Sequence, residues 1–213
     1  MNELRPPLKP GEWAPDFALP RADQEGTVSV ADYRGRSPLL LSFFRGLYCA
    51  FCRRAIWRRH LTNNKLRALD VETLGVVATT PENARRYFRY RPAHSVLAAD
   101  PVLTTLRAYG LPKVELPRRA VQSTRVNPTD ELPEPLPVGE AAQALTRLDR
   151  YRPTDTDQEE QKRTWNQSAG EFLIDRGGIV RWAFVEYASG DLTHIGKFPE
   201  DEEVMAAARM LTA

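Results

Sequence analysis

Pro38-Leu39-Leu40-Leu41-Ser42-Phe43-Phe44-Arg45-Gly46-Leu47-Tyr48-Cys49-Ala50-Phe51-Cys52 is the stretch that decides the architecture. Pro38 to Phe44 is apolar nearly throughout, which suits a central strand covered on both faces. Arg45-Gly46-Leu47-Tyr48 is short enough for one turn. From Ala50 to about Leu69, apolar residues recur at Phe51, Ala55, Ile56, Trp57, Leu61, Leu66 and Leu69 with charges between them. That spacing predicts a helix, with Thr62-Asn63-Asn64 as the place where it would break. Cys49 then falls where a buried strand feeds a helix, and Cys52 one turn further along the same face.

Beyond this stretch, Val71–Ala78 reads as a second strand, Thr80-Pro81-Glu82 opens a helix, Ser95–Ala98 is a short strand, and a helix follows Asp100-Pro101. Thr80 and Asp100 are expected N-caps, each with Pro at the first helical position. Alternating strands and helices imply parallel pairing with right-handed crossovers. Later, Glu171–Asp175 and Ile179–Glu186 flank Arg176-Gly177-Gly178, a pattern for a tight antiparallel hairpin that makes the sheet mixed. Pro199–Leu211 closes the chain as a helix, with acids in its first turn and an apolar stripe of Val204, Ala207, Ala208 and Leu211.

The fold class expected is α/β: a central mixed sheet flanked by helices, in one domain over 1–213, with an insertion at 112–164 before the last two strands. Between Leu111 and Thr164 the periodicity weakens and seven of the 17 prolines accumulate; only Gly139–Tyr151 has a helical pattern. An exposed excursion is the simplest reading of that segment, and a cover over the site or a homodimer contact is the other.

Composition excludes several classes. Thirty basic and 28 acidic residues leave a formal charge of +2, too weak a field to argue for nucleic acid or a membrane surface as partner. Met1–Pro10 has no apolar run of leader type, and no stretch approaches the roughly 18 residues needed to span a bilayer, so a cytoplasmic location is expected. Asn166-Gln167-Ser168 matches a glycosylation triplet and is read as chance in that setting. Two cysteines three apart cannot build a disulfide framework, and His60, His94 and His194 are too scattered to complete a zinc site, so no metal or other cofactor is expected.

The placement of the cysteines is what suggests chemistry. Unpaired N–H groups and the dipole at a helix N-terminus favour an anion, which lowers the pKa of Cys49. Between Arg45 and Leu69 lie seven basic residues and no acid, which favours thiolate further. Most of those arginines and lysines should form the solvated face of the helix; Arg45 alone is close enough in sequence to belong to the site. Cys49 is therefore assigned as nucleophile and the more enclosed Cys52 as its resolving partner.

Pro10-Gly11-Glu12-Trp13-Ala14-Pro15-Asp16-Phe17-Ala18-Leu19, Val28–Gly35, the apolar strand with Phe44–Cys49, Asp100-Pro101, Tyr109-Gly110-Leu111 and Phe172–Gly178 together resemble the peroxiredoxin-like branch of the alkyl hydroperoxide reductase and thiol-specific antioxidant family. The resemblance implies a thioredoxin-like fold and puts Cys49 at the peroxidatic position, attacking a hydroperoxide to give a sulfenic acid that a second thiol converts to a disulfide. The family's pattern has Pro where this chain has Ser42 and a hydroxyl residue where it has Gly46. At Ala169, peroxiredoxins have an arginine and thioredoxins, at about that point, a cis-proline. Gly46, Tyr48 and Ala169 thus outline the expected substrate side, Gln167 and Ser168 are further candidates to line it, and Arg45 is the candidate for the missing positive charge.

The function expected is thiol-dependent reduction of a hydroperoxide through Cys49 and Cys52, regenerated by thioredoxin or a small thiol. A thioredoxin-like protein disulfide reductase is the enzymatic alternative, because exchange needs only a low-pKa thiolate and a neighbouring thiol. A redox-sensing or interaction module without turnover is the third.

Overall fold

The computed structural model describes residues 5–93, 95–188 and 195–212. Its centre is β3 (Leu39–Phe44), with all six residues buried. The five-stranded sheet has the order β5 (Val96–Ala99), β4 (Glu72–Val77), β3, β8 (Gly170–Ile174), β9 (Val180–Val185). β3, β4 and β5 run parallel, while β8 and β9 are antiparallel to their neighbours. The mixed sheet and its hairpin thus agree with the sequence pattern. A small antiparallel pair, β1 (Ala18–Pro20) and β2 (Thr27–Ser29), precedes the sheet.

Helix α1 (Ala50–Arg67) is continuous through Thr62-Asn63-Asn64, against the break expected there. The polar side chains that suggested a break have partners: Thr62 donates to the Arg58 carbonyl one turn back, and Asn63 accepts from Thr73 in β4 at 2.8 Å. Helix α2 (Pro81–Arg89) starts as expected, with Thr80 accepting from the Asn83 N–H. Helix α3 (Thr104–Ala108) starts later than expected. Leu103 takes a left-handed φ of 60°, and the Asp100 carboxylate reaches forward to accept from Thr104 and Thr105 at 3.1 and 2.8 Å. Asp100 caps this helix from a distance, across a turn begun by Pro101.

Residues 112–164 are not the exposed excursion expected. They form α4 (Arg118–Ser123), a two-residue pairing of β6 (Arg125–Val126) with β7 (Leu136–Pro137), α5 (Val138–Leu148) and α6 (Asp155–Thr164). Leu116, Val126, Leu132, Ala141 and Leu145 enter the same buried cluster as Cys49, Cys52 and Phe51. Burying five such side chains removes enough apolar surface to hold the segment on the body of the fold.

Helix α6 has almost no apolar residues and is held by polar means. Thr154 and Asp157 make a capping box, and Asp157, Glu160 and Thr164 are buried. The last helix, α7 (Asp201–Thr212), packs the Val204–Ala208 stripe on Leu40 and Leu173, with Ala207 and Leu211 at its edge.

Candidate functional site

The site lies where β3 ends and β8 begins. β3 carries the chain through the core to Phe44, so the next residues emerge together at the carboxyl edge of the parallel strands, where α/β folds place their sites. Arg45 follows β3 directly. Ala169 precedes β8, and Glu186 follows β9 one step beyond the Gly170–Val185 pair, so the hairpin register sets Glu186 opposite Ala169.

Cys49 is the N-cap of α1. Its backbone is extended, and its Sγ accepts the Cys52 N–H at 3.2 Å. Both cysteines are free thiols and buried, with 7% of Cys49 accessible and none of Cys52. Burial pushes the Cys49 thiol up, but a hydrogen bond from the Cys52 thiol, the charge of Arg45 and the Cys52 N–H together bring it down to about 7. Cys52 moves the opposite way: burial, its hydrogen bond to Cys49 and the Cys49 charge hold it well above its ordinary value. The two sulfurs are thus neighbours with opposed acidities, one fit to attack and one to stay protonated.

Arg45 is buried and paired with Glu186, its Nη2 donating to Oε2. Burial alone would favour its neutral form; the Glu186 carboxylate and then Cys49 outweigh this and keep it charged. Glu186 also accepts from the Ala169 N–H at 3.1 Å and the Gly196 N–H at 2.7 Å, while its own N–H donates to the Ala169 carbonyl. The carboxylate is therefore fixed from three sides, and it aims Arg45. Among the described residues Arg45 Nε, the Tyr187 hydroxyl and the Ser168 hydroxyl, all buried, make no hydrogen bond of normal geometry. Tyr187 lies within electrostatic reach of both Arg45 and Cys49, and burial foremost keeps its phenol protonated.

The remaining expected residues have definite places. Gly46 has φ +144°, and a Cβ there would meet the Tyr48 ring at 2.7 Å. The ring of Tyr48 occupies the space a hydroxyl residue would need, and the Tyr48 hydroxyl donates to Thr164 Oγ1 at 3.0 Å. Thr164 in turn donates to the Arg45 carbonyl at 2.9 Å, so the end of α6 ties down the turn carrying Cys49. Ser42 donates to Glu171 at 2.9 Å, which is the local use of that position. Gln167 does not line the site: its amide spans the Leu111 and Pro112 carbonyls.

Sequence reasoning placed the α1 arginines on a solvated face, and two of them are instead buried. Arg53 donates to the Leu47 and Tyr48 carbonyls at 2.7 and 3.1 Å and pairs with Asp149, fastening the turn to α5. Arg59 binds Glu171 bidentately at 2.8 Å. Glu186, Tyr187 and Thr164 were missed; the only signal for the first two was a charged and a phenolic residue directly after an apolar strand. His94 and His194 lie outside the described residues. Among those described, no group of three His, Cys, Asp or Glu is placed to hold a metal ion, and no helix is long and apolar enough to cross a membrane.

A thioredoxin-like sheet that ends in a helix-capping, acidified cysteine with a second thiol one turn on defines a thiol oxidoreductase. The family follows from the chain itself: it belongs to the AhpC/TSA family, whose model matches residues 10–183, and its class is that of thiol peroxidases and thiol–disulfide oxidoreductases. A comparison with curated protein sequences finds no match. Among solved structures, the reduced 2-Cys peroxiredoxin of Plasmodium vivax is similar at TM-score 0.60 and 15% identity, over 95% of this chain and 81% of that one. Peroxidoxin BcpB of Mycobacterium tuberculosis is similar at TM-score 0.55 and 14% identity, over 96% and 98%. A protein of Chlorobium tepidum assigned as the thiol:disulfide interchange protein DsbE is similar at TM-score 0.52 and 21% identity, over 96% and 98%. At these identities the likeness concerns the fold.

Proposed function

We propose that this chain reduces hydroperoxides through Cys49, with Cys52 as the resolving thiol. The observation that carries the reading is the pair of buried donors beside Cys49, Arg45 Nε and the Tyr187 hydroxyl, neither of which makes a hydrogen bond of normal geometry among the described residues. A buried donor left unpaired costs about 1–3 kcal/mol, a cost that a ligand oxygen would remove. A peroxide brings two oxygens that accept hydrogen bonds, and charge develops on one of them as the O–O bond breaks.

In the first step the Cys49 thiolate attacks the nearer peroxide oxygen. An S–O bond forms, the O–O bond breaks, and the alkoxide or hydroxide leaves with the electron pair, taking a proton for which the Tyr187 phenol is the adjacent donor. Cys49 is now a sulfenic acid. The Cys52 sulfur attacks it, the S–S bond forms, and the sulfenic oxygen departs as water with the Cys52 proton. A dithiol protein such as thioredoxin, or two small thiols, returns two electrons and two protons.

Arg45 holds the charge that stabilises both thiolate and leaving oxygen, and Glu186 is its positioning residue. Gly46 and Tyr48 give the substrate side an aromatic wall, and Ala169 contributes backbone to the Glu186 clamp. This reading takes 1–213 as one thioredoxin-like domain, with 112–164 as an insertion that braces the cysteine turn through Thr164 and Asp149.

The Cys49–Cys52 spacing also favours exchange with a protein disulfide, and one assay separates the two. With thioredoxin, its reductase and NADPH present, hydroperoxide should be consumed one for one with NADPH by the native chain and not by Cys49→Ser. Turnover of a protein disulfide without peroxide turnover would replace this reading by the exchange reaction.

A further inference from the structure

A cleft of about 640 Å³ opens between the middle of α1, the end of α2 and the 112–164 segment, a size within the roughly 300–1,000 Å³ usual for small-molecule sites. Its apolar side is built from Trp57, which is 57% exposed, with Ile56 and Phe88 buried behind it. An exposed indole over an apolar floor is contact surface for the body of a ligand.

The charges of the cleft are unevenly used. Arg53 and Arg54 share Asp149, and Arg54 also pairs with Glu131. Arg91 pairs with no carboxylate among the described residues. Its guanidinium stacks over Tyr87 at 5.1 Å and Tyr151 at 5.8 Å, and it makes one long hydrogen bond, 3.5 Å, to the Asp149 carbonyl. Stacking occupies the faces of a guanidinium and leaves in-plane N–H groups free, in the fork that matches a carboxylate. The neighbouring Asp149 and Glu131 would repel a dianion, so the charge balance suits a single negative charge.

We infer that this cleft binds a small amphipathic monocarboxylate, its apolar body against Trp57 and Phe88 and its carboxylate on Arg91. The site does not depend on the peroxide reaction. It does share a side chain with the cysteine turn, since Arg53 lines the cleft and holds the Leu47 and Tyr48 carbonyls.

Calorimetric titration of the full chain with octanoate and with phenylacetate, against octanol as the neutral probe, tests this. At least one carboxylate should bind saturably at one site, and octanol about tenfold more weakly or worse. Arg91 is exposed, so Arg91→Gln should leave the melting temperature unchanged while weakening the carboxylate about tenfold, with Arg91→Lys between, because it keeps charge without the fork. Trp57→Ala should weaken carboxylate and octanol alike. Failure of both carboxylates to saturate, equal affinity for octanol, or binding indifferent to Arg91→Gln would each overturn the assignment.

Discussion

Arg59–Glu171 and Arg45–Glu186 are both buried arginine–carboxylate pairs on the same sheet, and they are built differently. In the first, every guanidinium nitrogen has a partner: two go to Glu171, one of those also to the Pro199 carbonyl, and the third to Asp201. Ser42 adds a hydrogen bond to the same carboxylate. In the second, Glu186 is fully engaged, yet among the described residues neither Arg45 Nε nor the neighbouring Tyr187 hydroxyl makes a hydrogen bond of normal geometry. A saturated pair can only hold elements together. An unsaturated one next to an acidified thiol has donors left to offer a ligand, as the proposed peroxide reaction requires.

The largest effect expected from this contrast is on stability at the saturated pair. Arg59→Met leaves Glu171 buried without its counter-charge and should cost about 3–5 kcal/mol, measured by denaturant unfolding, whereas Arg59→Met with Glu171→Leu should recover much of it. The pH profile of Cys49 alkylation in the folded fraction should not move. A shifted profile would mean that the two pairs are not separate devices.

At the unsaturated pair the effect should appear on the thiol. Arg45→Met removes a charge that lowers the Cys49 pKa, so iodoacetamide alkylation at pH 7 should slow by about tenfold, with its midpoint displaced upward from about 7. The native thiol is more acidic than an unfolded one, near 8.5. Its contribution to stability is therefore fully present above that value and is lost as pH falls through about 7. The stability difference between the native chain and Cys49→Ser should accordingly grow from about pH 6 to about pH 9 and be flat outside that range. A difference that shrinks over that range would contradict a stabilised thiolate.

The smallest structural change gives the sharpest separation. Tyr187→Phe deletes a buried hydroxyl with no partner of normal geometry among the described residues, so stability should stay within about 1 kcal/mol or rise, while the rate with hydroperoxide falls about tenfold through loss of a donor to the leaving oxygen. Alkylation of Cys49 should be unchanged. A destabilised protein with an undiminished peroxide rate would make Tyr187 a packing residue.

How much of this was legible in the sequence follows from how each part is stabilised. β3, α1 and the β8–β9 hairpin are built on apolar periodicity and glycine punctuation, so composition and spacing disclose them. Helix α6 was invisible for the opposite reason: Asp155–Thr164 holds its place through a capping box and buried polar contacts, which leave no hydrophobic period. Arg53 and Arg59 read as solvent-facing because arginine on a helix usually is. Their partners, Asp149 and Glu171, lie about a hundred residues away and are joined only by the fold. The position of Cys49 needed only local rules; the residues that aim Arg45 needed the sheet register. Gly46 is a case between these, since the sequence showed a departure from the family pattern and only the Tyr48 ring supplies its cause.

The central claim, that Cys49 meets the peroxide and Cys52 resolves it, is tested most directly by the intact mass after one equivalent of hydroperoxide, for the native chain and for Cys52→Ser. The native chain should lose two hydrogens, as an internal disulfide, and Cys52→Ser should gain one oxygen on Cys49. Unchanged masses with both thiols still titratable, or an oxygen gained first on Cys52, would contradict it.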